Sequence, residues 1–387
     1  MSVRKRTWKI EGGESREAWV VNYSDQLGRR HLKTFARKRD ADDYHARVRV
    51  DVGAGIHTAD SRSITVNEAG ELWLKSREAA GLERASLTNY REHLRLHIAP
   101  YIGATKLSAL TAPGVRQYED TLRIDRSPNL VRNVLAALSG ILTDAQDRGL
   151  VAQNVVRGRR SQKSSLIDAR QKHRVEVGTD IPTPSEVRAI IGKLDGGRRR
   201  PLLLTAIFTG LRVSELRGLR WADVNLPRSE LRVRQRADRY GTIGPPKSAT
   251  SRRTVPLPPM VVNGLREWRL ANPRGQSDLV FPGWRDRPLR LSTIIRYEWH
   301  PAQLAAGIVA DFGAPKYPGI HALRHFYASW CINRRADGGL ELPIKVVQGR
   351  LGHASIQMTA DRYGHLFPSG DDGAELAAAE KAFMAVP

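Results

Sequence analysis

Apolar positions recur at helical spacing along most of this chain, and only a few stretches alternate as strands do. Near the N-terminus, Glu17-Ala18-Trp19-Val20-Val21-Asn22-Tyr23 has strand character. Asp25-Gln26-Leu27-Gly28 follows as a turn, and Arg30 to Phe35 alternates again, as in a hairpin. From Arg39 to Val50 the pattern becomes helical, so residues 1–58 read as a small β-plus-α unit. Residues 63–157 read as all-helical. Val66, Ala69, Leu72 and Trp73 line one face of a helix from Ile64 to Glu78. Ser86-Leu87-Thr88-Asn89 looks like a helix start ahead of Tyr90, Leu94 and Leu96, and Gly103 interrupts. Pro113 suits the first turn of a helix reaching Leu122. Pro128 to Arg148 forms a long amphipathic helix with Leu130, Val134, Leu135, Leu138, Leu142 and Ala145 inward, closed by Gly149.

The pattern then breaks. Residues 158–179 are polar and basic with few large apolar groups, which predicts an extended or disordered linker. Periodicity resumes in the largest domain, residues 180–387. Thr183-Pro184-Ser185-Glu186 reads as a helix start and Pro201 to Phe208 as a buried helix. Leu231 to Gln235 and Arg253 to Leu257 read as strands flanking a Gly/Pro-rich loop. Helices dominate beyond, ending in a short Ala-rich amphipathic helix from Ala374 to Met384. The fold class is thus mixed, mainly α.

Charge narrows the partner. The 387 residues carry a formal net charge of +23, which points to a polyanion, most commonly nucleic acid. Basic residues crowd the N-terminal unit at Arg29, Arg30, Lys33, Arg37, Lys38 and Arg39, and the linker at Arg157, Arg159, Arg160 and Lys163. A small sheet with a basic face can lie in a DNA groove, and a basic linker can track phosphates; a merely solvated surface is the bland alternative. A single cysteine, Cys331, rules out an intrachain disulfide and suits a reducing compartment, with a buried structural thiol expected. No secretory signal, membrane-length apolar run or metal-ligand spacing is present, so a cytoplasmic protein without metal is expected.

Four fragments of the last domain then ask to be read together. Thr209-Gly210-Leu211-Arg212-Val213-Ser214-Glu215-Leu216 places Arg212 just past an apolar helix, where Gly210 permits a sharp bend. His321-Ala322-Leu323-Arg324-His325 puts His321 and Arg324 three apart, on one helix face. Leu351-Gly352-His353 is followed ten residues later by Tyr363, and Lys247 sits in Gly244-Pro245-Pro246-Lys247-Ser248. Alone, each has an ordinary explanation: a helix arginine in a salt bridge, a structural histidine, a packing tyrosine. Together, in this order and on a basic chain, they are specific.

These motifs resemble those of the tyrosine recombinase, or phage integrase, family. The resemblance covers about residues 180–368; residues 63–157 look like the family's core-binding domain and, more weakly, residues 1–58 like the arm-binding domain of larger phage integrases. It implies an α+β catalytic domain and a site-specific DNA recombinase that needs neither metal nor ATP nor any other cofactor. Tyr363 would attack a scissile phosphate to give a 3′-phosphotyrosine and a free 5′-hydroxyl. Arg212 and Arg324 would bind the non-bridging oxygens, with His353 adding a hydrogen bond. His321 would accept the tyrosine proton, Lys247 would protonate the leaving oxygen, and Glu215 would orient Arg212 or His321. The implied partners are double-stranded DNA attachment sites and a homo-tetramer assembled on DNA, with accessory DNA-bending and directionality proteins as further candidates and no membrane. A chromosome-dimer resolvase, a type IB topoisomerase and a non-catalytic DNA-binding regulator stay open as alternatives.

Overall fold

The computed structural model describes residues 1–9, 15–25, 28–53, 63–151, 153–157, 174–272, 278–367 and 372–385. Among these residues, no helix is long and apolar enough to cross a membrane. The chain divides into two compact units, Met1–Gln162 and Lys163–Pro387.

The first unit holds two separate apolar cores. One lies under an antiparallel sheet of β1 (Ser2–Lys9), β2 (Ser15–Ser24) and β3 (Arg30–Phe35), covered by the helix Lys38–Gly53. Strand β1 was not expected from the pattern. Its basic run Arg4-Lys5-Arg6 hides the alternation, which pairing with β2 restores by setting Val3 opposite Val21. Val21, Tyr23, Ala41 and Val48 form this core. Arg29, Arg30, Arg37, Lys38 and Arg39 remain exposed, while the Lys33 ammonium lies 4.3 Å from the centre of the Tyr44 ring. In the expected turn, Gly28 N–H donates to Asp25 O at 3.0 Å; Gln26 and Leu27 lie outside the described residues.

The second core is helical. Thr65 caps the helix Val66–Ala79 through a reciprocal bond pair with Glu68. Ser86 to Asn89 do not start a helix; they lie inside Arg84–Glu92, which runs on through a π-helical stretch, His93–Ile98, to Ala99–Ile102. Leu94 and Ile98, four residues apart, share the buried face, while Leu96 between them faces solvent on the opposite side. The helices Ala112–Asp125 and Pro128–Asp147 complete the unit, with Val134, Leu138, Leu142 and Ala145 inward as expected, joined by Val131 and Ile141. Leu130 and Leu135 pack only at the edge of this core.

Residues 158–173 of the expected linker lie outside the described residues. Its end differs from expectation: Val175 enters the core of the second unit, and Val177 bridges to Ile181. A capping box between Thr183 and Glu186 opens the helix Pro184–Gly192. The helix Arg199–Thr209 is buried on nearly every side, which explains its almost unbroken apolar sequence. Strands β4 (Val224–Asn225), β5 (Glu230–Val233) and β8 (Arg253–Pro256) form an antiparallel sheet in the order β4-β5-β8. Between β5 and β8 projects a two-stranded ribbon of β6 (Arg236–Ala237) and β7 (Ile243–Gly244). The helices His321–Ile332, Ile344–Leu351 and Ile356–Tyr363 follow, and Cys331 is buried as a free thiol. The last helix, Asp372–Met384, leaves Leu376, Phe383 and Met384 mostly exposed.

Candidate active site

The site is assembled from chain reversals that only glycine adopts cheaply. The helix Arg199–Thr209 ends at Gly210, whose φ is +59°. The Tyr327 ring packs where a Cβ would stand, 2.3 Å from its position. The chain turns at once into the short helix Val213–Arg217, with Arg212 just ahead of its first residue. Glu215 reaches back to accept the Arg212 backbone N–H at 2.9 Å and an Arg212 guanidinium N–H at 2.8 Å. A second left-handed glycine, Gly352 at φ +64°, ends Ile344–Leu351 and delivers His353.

The two arginines expected at the site meet at this second turn. Arg324 donates through Nη2 to Leu351 O at 2.6 Å, and Arg212 donates through Nη2 to the next carbonyl, Gly352 O, at 3.0 Å. Arg324 also donates to Gly210 O, so one guanidinium ties the two left-handed turns together. Each guanidinium has five N–H donors, so both keep donors for an incoming anion. Arg324 is buried; desolvation and the charges of Arg212 and Arg253 pull it down to about 9, still protonated at neutral pH.

A third arginine, Arg253 on β8, was not anticipated. It grips Glu215 with both terminal nitrogens, at 2.8 and 3.2 Å, and donates to Arg350 O at 2.7 Å. Glu215 is therefore a buried carboxylate shared by Arg212 and Arg253. Burial alone would raise its pKa; the bonds and charge of Arg253, then Arg212, win and lower it. The only sign of Arg253 in the sequence was a charged residue heading a strand-like run.

Tyr363 closes the helix Ile356–Tyr363 and is 1% exposed. Its hydroxyl lies 2.7 Å from His325 Nδ1. His321, expected to be the proton acceptor, instead packs edge-on against His325, with ring centres 4.8 Å apart. His353 lies parallel to the Tyr363 ring at 6.3 Å, and its Nδ1 bonds Thr359 Oγ1 at 2.9 Å. Burial raises the Tyr363 phenol to about 12 despite the opposing pull of Arg324, Arg362 and Arg212. The phenol is therefore protonated at rest. Burial and neighbouring positive charge push the imidazoles the other way, His325 and His353 to about 3 and His321 to about 4. His321 stands exposed at the helix start, where water softens that shift.

Thus Arg212, His321, Arg324, His353 and Tyr363 come together, along with Glu215. Lys247 is exposed outside the cluster, between β7 and the turn Ala249–Ser251. It remains linked to the cluster: the adjacent Ser248 hydroxyl lies 2.9 Å from that of Ser251, which accepts from Arg212 at 3.2 Å. No group of metal-ligating side chains occurs among the described residues.

A buried phenol ringed by arginines and neutral imidazoles sets a nucleophile beside cations that suit an anionic electrophile such as a phosphodiester. The profile of the phage integrase family matches residues 183–369. A tyrosine recombinase XerC of Xylella fastidiosa strain M23 is 30% identical over 239 residues, covering 60% of this chain and 68% of the relative. A XerC-like tyrosine recombinase of Caldanaerobacter subterraneus subsp. tengcongensis is 25% identical and covers 94% of this chain and 96% of its own. A lambda integrase solved as a tetramer bound to a Holliday junction shares the fold, with a TM-score of 0.55 at 17% identity, over 90% of this chain and 95% of that one. Fold and site define a tyrosine recombinase, an enzyme of site-specific DNA recombination. The chain belongs to the phage integrase family.

Proposed function

We propose that the protein integrates and excises the DNA of a phage or other mobile element at defined attachment sites, with Tyr363 as nucleophile. The observation that carries this reading is the convergence of Arg212, Arg324, His321 and His353 on the Tyr363 phenol within one unit. Negative charge grows on the non-bridging oxygens as the phenol attacks, and the spare N–H donors of Arg212 and Arg324 are placed to meet it. His353 adds a hydrogen bond through Nε2, since Nδ1 is engaged by Thr359. His321, beside Arg324, presents a neutral imidazole that can donate to the phosphate or take up a proton. Lys247, carried on the exposed segment after β7, protonates the 5′-oxygen once DNA brings the two together.

The N-terminal elements extend the DNA contact. The basic β-plus-α unit of residues 1–58 binds arm-type sites, the helical residues 63–157 grip the core site, and the basic residues 158–179 follow the backbone into the catalytic residues 180–387. Exchange between two duplexes needs four protomers, and the exposed apolar side chains of Asp372–Met384 suit docking on a neighbouring protomer. The lambda integrase tetramer on a Holliday junction supports this arrangement. Such a protein works in the cytoplasm on chromosomal DNA.

The test uses a pool of nicked duplexes with a randomised core. Wild-type protein should capture a subset covalently through a 3′-phosphate, and sequencing the captured ends yields the site. Tyr363→Phe should still bind that duplex and capture none; an adduct formed by Tyr363→Phe would overturn the reading. Truncation after Pro368 should abolish synapsis of two duplexes on native gels.

A further inference from the structure

We infer that His325, rather than His321, accepts the Tyr363 phenolic proton when the hydroxyl attacks DNA, and that it returns the proton when the strand is resealed. This rests on Tyr363 being the nucleophile. Three observations carry it.

The first is distance. His325 Nδ1 lies 2.7 Å from the hydroxyl, within reach for direct proton transfer. The second is direction. The phenol is protonated and the imidazole is neutral, so the phenolic O–H can donate to Nδ1 while Nε2 carries the ring proton. The third is placement. His325 follows Arg324 on one helix, so a single rigid element holds both the phosphate-binding guanidinium and the proton acceptor.

The balance is complete without a co-reactant. The Tyr363 O–H bond breaks and an Nδ1–H bond forms on His325. The freed oxygen pair makes the O–P bond, and the O5′–P bond breaks as the Lys247 ammonium gives its proton to the 5′-oxygen. In the reverse step a 5′-hydroxyl attacks the phosphotyrosine and yields its proton to the neutral Lys247 amine, and the imidazolium of His325 protonates the departing phenolate.

The charged and titratable neighbours of His325 are His321 and Arg324 on its own helix, His353 on the preceding turn of the site, and Arg362 and Tyr363 on the last helix of the cluster. Without DNA, this positive surround suppresses imidazolium formation. A scissile phosphate bound between Arg212 and Arg324 cancels part of the charge and makes His325 a better base. The nucleophile is thereby activated by its own substrate.

The decisive variant is His325→Asn. The asparagine Oδ1 can stand near the place of Nδ1 and accept the phenolic hydrogen bond, yet it cannot take the proton. His325→Gln serves as a second variant, and melting curves and binding to the selected duplex are measured for both. Single-turnover adduct formation on that nicked duplex should fall about 10²–10⁴-fold at neutral pH. The residual rate should climb with pH as hydroxide takes over. A duplex with a 5′-bridging phosphorothiolate, whose leaving group needs no proton, should leave this defect in place while relieving that of Lys247→Ala. Wild-type rates in His325→Asn, or a loss that does not change from pH 6 to pH 9, would reduce His325 to a holder of the phenol and overturn the inference. An adduct in Tyr363→Phe would overturn the nucleophile assignment instead, so the two failures are separable.

Discussion

Arg253 and Glu215 form a two-pronged ion pair in which the arginine side chain is 6% exposed and the carboxylate 2%. Thirty-eight residues separate them in sequence. Glu215 Oε1, which Arg253 also contacts, accepts from the Arg212 guanidinium. Arg253 and Arg212 thus share one carboxylate, and the first holds the group that holds the second.

Removing one partner strands the other charge in a desolvated place. Glu215→Ala should cost about 3–5 kcal/mol of stability, the usual penalty for breaking a buried pair. Chemical denaturation followed by tryptophan fluorescence measures it. Arg253→Ala should cost a similar amount and also slow adduct formation without weakening DNA binding equally. A loss below about 1 kcal/mol in both would mean the site is far wetter than described.

Arg324 should not tolerate lysine. A lysine ammonium is a compact point charge and cannot bridge Gly210 O and Leu351 O while still offering paired donors to a phosphate. Arg324→Lys should lose about 10²–10³ in cleavage rate. Equal cleavage by both proteins on the selected nicked duplex would contradict this.

Thr359→Val keeps the shape of a fully buried side chain but removes the hydroxyl that holds His353 Nδ1. It should destabilise the chain by about 1–3 kcal/mol, the cost of leaving a buried polar group without its partner. Adduct formation should drop by about tenfold, and Thr359→Ser should restore most of it. Thermal melting and the nicked-duplex assay read the two effects separately.

Gly210→Ala tests the bend that delivers Arg212. The left-handed backbone costs an alanine about 1–2 kcal/mol, and the new Cβ would collide with the Tyr327 ring, adding about 1–3 kcal/mol of overpacking. Both melting temperature and cleavage should fall; an unchanged protein would require a different turn.

Acid should weaken the folded chain, with a sign that follows from the imidazoles. His325 and His353 are held at about 3 when folded, against 6.5 for the ordinary group. Burial is the main cause in each, followed by nearby positive charge, led by His321 for the former and Arg324 for the latter. Between those values the unfolded chain binds more protons. This contribution to stability is therefore complete above about pH 6.5 and declines as the pH falls. Glu215 acts with the same sign, because its lowered pKa gives a contribution that is lost as the pH drops through its folded value. Melting temperatures from pH 8 to pH 5 should decline, and His353→Asn should flatten the slope. A flat wild-type curve would count against buried neutral imidazoles.

Much of this protein was legible in its sequence because the relevant signals are local. The 3.6-residue period marked the long helices, Thr183 and Glu186 marked where the helix Pro184–Gly192 begins, and Gly210 and Gly352 marked the turns ahead of Arg212 and His353. The motifs named six candidate residues without any geometry. Strand β1 escaped because its alternation is written partly in arginine and lysine, and the helix start expected at Ser86 to Asn89 falls inside a helix that already begins at Arg84.

Tertiary structure decided what local signals cannot carry: which groups touch. Arg253 reaches Glu215 across 38 residues, Arg212 reaches Gly352 across 140, and the hydroxyl of Tyr363 finds His325 rather than His321. Each contact depends on how helices and strands far apart in the chain pack around one core. A side chain's neighbours, and hence the pKa and chemistry of a phenol, are set by that packing and not by its address in the sequence.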